Sequence, residues 1–149
     1  MTQLDVKPFQ QETAYSCTAA AAQSLFHYFG FDLDHKTAIK LTKCDENDGC
    51  HLKWVAHLCK KLCGCRYKTI KSISEIQRHI DLSRPILAGD DYTYKDDHAI
   101  LIVGYDQNNF SVLDPNTAKI NLVDKNHVFE HSDEFIAIFK WIITNFHFQ

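Results

Sequence analysis

Residues 11–30, which read QETAYSCTAAAAQSLFHYFG, decide the fold of this chain. Small and apolar residues follow one another and predict a buried helix over Cys17–Phe29, with Ser16 as its N-cap and Gly30 as its stop. The consecutive alanines make one face small enough for close packing against a neighbour. Cys17 then occupies the first helical turn, where unpaired backbone N–H groups and the helix dipole favour a thiolate. Since the thiolate is the nucleophilic form of cysteine, the segment predicts a reactive thiol.

A primary amide upstream of this thiol supplies a second chemical group. Gln11 precedes Cys17 by six residues. Its carboxamide can donate a hydrogen bond to the oxyanion that forms when a thiolate attacks a carbonyl carbon. The neighbouring Gln10 is a register alternative for the same role. Cys17 taken alone is more often a buried core thiol, so the prediction of a nucleophile depends on a base elsewhere in the chain.

A second segment supplies that base and a group to orient it. His98 opens an apolar run that predicts a buried strand, and after polar residues at 106–109 a return strand ends at Asp114. An antiparallel hairpin with this turn brings His98 and Asp114 to the same end, although they lie 16 residues apart. A carboxylate beside an imidazole fixes its tautomer and its orientation. Cys17, His98 and Asp114 are therefore the predicted nucleophile, base and orienting group.

Length, charge and hydropathy exclude several classes of protein. The 149 residues, 45% of them hydrophobic, are typical of one globular domain. The net charge of −3 leaves no basic surface for nucleic acid, and no nucleic-acid partner is expected. No apolar run approaches the roughly 20 residues that a membrane-spanning helix needs. Residues 1–16 lack the pattern of a signal peptide, so we expect a cytoplasmic protein unless another route exports it.

The other cysteines leave a disulfide or a metal site open. They are Cys44, Cys50, Cys59, Cys63 and Cys65. The last three cluster near a predicted helix end, with His51 or His57 as a fourth zinc ligand, but they lack the Cys-x2-Cys pairs of common zinc sites. Disulfides are rare in the cytosol. We therefore expect free or buried thiols, and no metal or cofactor.

The order of the predicted elements favours an α+β domain. Beyond the first helix, we expect helices over His35–Thr42, Leu52–Leu62, Ser72–Ile80 and Asn126–His131, strands over Cys65–Ile70, Ile86–Gly89, 99–105, 109–113, 118–123 and 134–143, and a polar loop over Asp90–Asp97. Helices that precede consecutive strands argue for N-terminal helices packed on a C-terminal antiparallel sheet. One domain over residues 1–149 is expected, with the site between the helices and the sheet.

In these residues the chain resembles the bacteriocin-processing cysteine peptidases, the double-glycine-leader peptidases that form the N-terminal domain of peptidase-containing ABC transporters. The matching features are Gln11, Cys17, the small-residue helix ending in His27-Tyr28-Phe29-Gly30, the Asp48-Gly49 turn, the His98 strand with Val103-Gly104-Tyr105, and Asp114-Pro115. Their order and spacing agree over essentially the whole chain, and we expect the domain to be free-standing. The resemblance implies a papain-like cysteine peptidase fold.

The resemblance also implies a substrate, and it includes one departure. Members of this family cleave after a small-residue pair, often Gly-Gly, at the end of a leader peptide. The family usually has glycine directly after the cysteine, whereas this chain has Thr18. A β-branched side chain there is expected to narrow the cleft beside the oxyanion hole.

We therefore predict an enzyme, a cysteine peptidase that hydrolyses a peptide or protein substrate. Cys17, His98 and Asp114 form its triad, and Gln11 donates to the oxyanion. Two alternatives use the same fold: a non-catalytic peptide-binding module, and an acyl or amide transferase in which an amine replaces water. A third alternative is a metal- or redox-responsive protein that uses Cys59, Cys63 and Cys65.

Overall fold

The computed structural model describes residues 1–43, 51–90 and 98–140. Its helices are α1 (Cys17–Tyr28), α2 (His35–Thr42), α3 (Leu52–Cys63), α4 (Ile73–Asp81) and α5 (Lys125–His131). Its strands are β1 (Thr2–Gln3), β2 (Cys65–Thr69), β3 (Ile86–Asp90), β4 (His98–Tyr105), β5 (Asn109–Asp114), β6 (Lys119–Asp124) and β7 (Ser132–Lys140). No helix in this described part is long and apolar enough to cross a membrane.

The strands form one sheet in which every pairing is antiparallel. Their order is β2-β7-β3-β4-β5-β6, and β1 pairs with β4 beyond the end of β3. Alternate residues of the central strands point to opposite faces. Leu87 and Leu101 lie in the core that the sheet shares with α1 and α3, whereas Ile86 and Ile100 lie in the core shared with α4 and α5. The expected α+β arrangement is confirmed.

Local signals place most of the helix ends where the sequence predicts them. Asp34 caps α2 by accepting a hydrogen bond from the N–H of Thr37 at 2.7 Å. Ser72 caps α4, since its Oγ accepts from the N–H of Glu75 at 3.2 Å. Gly64 ends α3 in the left-handed region, at φ 70°. Ser16 occupies the predicted N-cap position of α1, but its side chain makes no capping hydrogen bond to the helix.

The β4–β5 hairpin carries two of the predicted site residues, and its turn has a local cause. Oδ1 of Asp106 accepts hydrogen bonds from the N–H groups of Asn108 and Asn109, at 3.0 and 2.7 Å. Aspartate side chains favour turns in this way because they satisfy the backbone donors of the turn themselves. Leu101 pairs with Leu113 in this hairpin. The start of β4, at His98, therefore lies beside the end of β5, at Asp114.

β1 is not among the strands that the sequence predicts. Thr2 and Gln3 pair with Tyr105 and Gly104. The close approach depends on glycine, because a Cβ at position 104 would lie 2.4 Å from the carbonyl oxygen of Thr2. The N-terminus is thereby attached to the middle of the sheet.

Several expected features lie outside the described residues. These are the Asp48-Gly49 turn, Cys44, Cys50, most of the Asp90–Asp97 loop and the end of the strand predicted over 134–143. Asp90 itself ends β3, and the last strand begins two residues earlier than predicted, at Ser132.

Candidate active site

Cys17 begins α1 and is almost completely buried, with 9% of its surface exposed. The helix packs against the sheet through its small residues, and its N-terminal end lies beside the start of β4. There the Cys17 sulfur is close enough to the side chain of His98 and to the backbone of Ala99 for both to lower its pKa. The nucleophile expected from the sequence and the base expected from the sequence are therefore neighbours.

His98 and Asp114 are also in direct contact. Nε2 of His98 lies 2.6 Å from Oδ1 of Asp114. Because the carboxylate accepts, Nε2 carries the proton, and Nδ1 is the ring nitrogen left for Cys17. The imidazole is only 4% exposed. Its orientation is therefore held on one side by a carboxylate and on the other by a thiol.

Opposing effects act on the ionisation of Cys17. Burial by itself raises the pKa of a thiol, since the interior disfavours the charged form. The hydrogen bond from His98, the one from the Ala99 N–H and the charge of His98 prevail, and the pKa of Cys17 is lowered. Oγ1 of Thr18, which is buried, lies 3.8 Å from Sγ and adds a further polar neighbour.

The pKa of His98 is raised and the pKa of Asp114 is lowered, so the charged form of each group is favoured. Burial opposes the charged imidazole, but the hydrogen bonds to Asp114 and Cys17 prevail and raise the pKa of His98 to about 9. Burial likewise opposes the Asp114 carboxylate, while hydrogen bonds from His98 and from the N–H of Asn116, at 2.9 Å, keep its pKa below the ordinary value. The three shifts together favour a thiolate, an imidazolium and a carboxylate side by side.

Gln11 is attached to the same end of the sheet. Its backbone N–H donates to the carbonyl of Pro115, the residue after Asp114, at 2.8 Å. Its side-chain Nε2 donates one hydrogen to the carbonyl of Thr13 at 2.9 Å. An amide nitrogen carries two hydrogens, so one N–H remains for another acceptor. The amide of the alternative, Gln10, donates to the Asn116 carbonyl at the surface instead.

Sequence reasoning missed the residues that support the loop between Gln11 and Cys17. Ser16, Gln23 and His35 are buried and hydrogen-bonded to one another through the ring of His35. No local pattern indicates this, because the three residues belong to the end of the loop, the middle of α1 and the start of α2. The only signal was that His35 is the first residue of a capped helix.

The thiols of Cys59, Cys63 and Cys65 belong to the core. Burial raises the pKa of each, for Cys65 to about 12, so all three are protonated at neutral pH. They are free thiols. Within the described ranges, no group of three or more His, Cys, Asp or Glu side chains is arranged to hold a metal ion. The zinc alternative therefore receives no support from this part of the chain.

Solved structures with the same fold are peptidase domains. The peptidase domain of Streptococcus ComA, described as a bi-functional ABC transporter involved in quorum sensing, is 21% identical with a TM-score of 0.75, over 90% of this chain and 96% of that one. A protein described as a C39-like peptidase from Bacillus anthracis is 15% identical with a TM-score of 0.72, over 92% and 96%. A double-glycine-motif protease from an AMS/PCAT transporter, solved with its leader peptide, is 13% identical with a TM-score of 0.70, over 92% and 91%.

These likenesses confirm the papain-like α+β fold. No protein with a curated description matches the sequence. The pattern that defines the Peptidase_C39-like family, however, matches residues 3–144, which is nearly the whole chain. The protein therefore belongs to the Peptidase_C39-like family.

Proposed function

We propose that this protein is a cysteine peptidase in which Cys17 is the nucleophile, His98 the general acid and base, Asp114 the orienting group and Gln11 an oxyanion donor. The observation that carries the proposal is the continuous contact from Cys17 through His98 to Asp114, with a 2.6 Å hydrogen bond at its second step. A buried imidazole held between a thiol and a carboxylate is the arrangement that activates a cysteine nucleophile.

The reaction follows from the protonation states of these groups. The Cys17 thiolate attacks the carbonyl carbon of the scissile bond, and the carbonyl oxygen becomes an oxyanion. The Nδ1–H of His98 protonates the leaving amine as the C–N bond breaks, which leaves a thioester on Cys17. The neutral Nδ1 then takes a proton from water, whose oxygen attacks the thioester. The carboxylic acid product leaves, and the thiolate and imidazolium are restored.

Gln11 supplies the stabilisation of the oxyanion in this proposal. The second Nε2 hydrogen of its amide and the backbone N–H of Cys17 are the donors. Preorganised donors of this kind contribute about 3–4 kcal/mol each to the stabilisation of the transition state. The bonds from Gln11 to Thr13 and Pro115 support the assignment, because they hold the amide before any substrate arrives.

The substrate in this proposal is a peptide segment that ends in two small residues, such as Gly-Gly. Two observations support a peptide substrate: membership of the family, and the fold shared with a double-glycine-motif protease that was solved with a leader peptide. The threonine at position 18, beside the nucleophile, takes room that glycine would leave open. Small residues before the scissile bond suit such a cleft.

The experiment is cleavage of a matched pair of peptides, identical except for Gly-Gly or Leu-Leu before the scissile bond, by wild type and by Cys17→Ala. Mass spectrometry of the products should show cleavage of the Gly-Gly peptide by wild type alone. A peptide that binds to both proteins and is cut by neither would support the binding module instead. Added amines that appear in the product in place of water would support the transferase.

A further inference from the structure

A buried histidine outside the triad holds the loop that joins the two halves of the proposed site. His35, the first residue of α2, is 6% exposed. Its Nε2 accepts a hydrogen bond from the backbone N–H of Glu12 at 3.2 Å and lies 3.0 Å from Oγ of Ser16. Glu12 follows Gln11, and Ser16 precedes Cys17. One imidazole therefore contacts both ends of the loop between the proposed oxyanion donor and the nucleophile.

The tautomer of this ring is determined by its partners. Because the Glu12 N–H donates to Nε2, the proton of a neutral ring must be on Nδ1. Nδ1 lies 2.8 Å from Oε1 of Gln23, which accepts it. The Gln23 amide is oriented in turn, since its Nε2 donates to the carbonyl of Leu33 at 2.9 Å. Burial lowers the pKa of His35, although the charge of Glu12 opposes this, so the ring stays neutral and keeps its acceptor.

The contact continues from His35 to Gln11 itself. The Ser16 hydroxyl, which is fully buried, accepts from the N–H of Thr13 at 3.2 Å, and it lies 3.3 Å from the Thr13 carbonyl. That carbonyl is also the acceptor of the Gln11 side chain. If the ring were lost, the Ser16 hydroxyl would lose the partner that holds it. The Thr13 backbone, which Ser16 contacts, would then be held less firmly, and so would the Gln11 amide that donates to it. The thiolate has independent support from His98 and Ala99 on β4.

We propose that His35 is a positioning residue for the oxyanion donor, and that Gln23 serves it by fixing its tautomer. The inference rests on the proposed function. It assigns to His35 a role in the step that forms an oxyanion and none in the ionisation of Cys17. Displacement of a catalytic group by about 1 Å is enough to cost up to about 100-fold in rate. A donor that is loosened but still present should cost about tenfold.

The test compares two reactions of Cys17 in the full chain. A Gly-Gly p-nitrophenyl ester acylates the sulfur through an oxyanion and releases p-nitrophenolate, which is read as a burst. Iodoacetamide alkylates the same sulfur by displacing iodide from a saturated carbon, without an oxyanion. In His35→Ala we expect the ratio of acylation rate to alkylation rate to fall about tenfold, with the alkylation rate unchanged. His35→Gln, which places a carbonyl oxygen near the position of Nε2, should recover most of the ratio.

Control variants separate positioning from general damage. His79→Ala removes another buried imidazole, 1% exposed, from α4 on the opposite face of the sheet, and should leave the ratio unchanged. Gln23→Met removes the acceptor of Nδ1 and should lower the ratio; it decides the question if His35→Ala fails to fold. Thermal melting of every variant gives its stability.

Two outcomes would overturn the inference. A wild-type ratio in folded His35→Ala, or an equal fall in His79→Ala, would remove the positioning role while leaving the proposed peptidase intact. Wild type that is alkylated at Cys17 but gives no burst would instead remove the proposed function, and the role of His35 with it.

Discussion

Nε2 of His98 lies 2.6 Å from Oδ1 of Asp114, in a hairpin that brings together residues 16 positions apart in the chain. The contact makes the carboxylate part of the electrostatics of Cys17, because the imidazole of His98 interacts with both groups. Asp114 raises the pKa of His98, and the charged imidazole lowers the pKa of Cys17. The pKa of the Cys17 thiol therefore depends on Asp114 through His98, which lies between them in this series of contacts.

The first prediction concerns the pH dependence of cleavage. The rate should rise as the pH rises through the lowered pKa of Cys17, because the thiolate is the attacking form. It should fall as the pH rises through about 9, because the imidazolium then loses the proton that the leaving amine needs. In Asp114→Asn the alkaline limb should move to lower pH, since a neutral amide supports the imidazolium less than a carboxylate does. An alkaline limb at the same pH in both proteins would contradict this.

The second prediction concerns selective labelling of the thiols. A limiting amount of iodoacetamide at about pH 6 should label Cys17 in wild type, because its pKa is lowered while burial raises those of Cys59, Cys63 and Cys65. The label should be lost in His98→Ala. Intact mass and peptide mapping would report the site. Labelling of the core thiols at the same rate, with or without His98, would mean that the thiolate is not activated.

The third prediction separates Gln11 from its neighbour. Gln11→Ala should lower the rate of peptide cleavage by about 10²–10³-fold, because one oxyanion donor is lost. Gln10→Ala is the matched control and should keep the wild-type rate, since its amide donates to Asn116 at the surface. Steady-state kinetics with the Gly-Gly peptide measure both. Equal effects of the two substitutions would remove the assignment to Gln11.

The fourth prediction concerns the attachment of β1. Gly104→Ala should lower the free energy of unfolding by about 1–3 kcal/mol, because the new Cβ overlaps the Thr2 backbone. Gly89→Ala is the control: its Cβ would lie 3.2 Å from Cδ1 of Leu52, a side-chain atom that can move, so its cost should be smaller. Urea unfolding curves compare the two. An equally stable Gly104→Ala would mean that β1 does not depend on the close approach.

Much of the fold was predictable because its signals are local. The bounds of α2 follow from the Asp34 cap, and α3 ends at Gly64 because glycine adopts the left-handed conformation without strain. The hairpin that joins His98 to Asp114 follows from an apolar run and a turn that Asp106 closes by itself. The single domain over residues 1–149 and the cytoplasmic location stay predictions.

The sequence by itself determined which chemical groups the chain carries and which elements present them: Cys17 at a helix start, His98 and Asp114 on a hairpin, and Gln11 upstream. Only the tertiary structure decided how the loop between Gln11 and Cys17 is held. Serine is a residue type that favours the N-cap position. The hydroxyl of Ser16 is nevertheless hydrogen-bonded to Thr13 and to His35, which is 19 residues away. The physical reason is that a buried hydroxyl bonds to the partners that packing brings to it, and the packing of α2 against α1 brings the ring of His35 there.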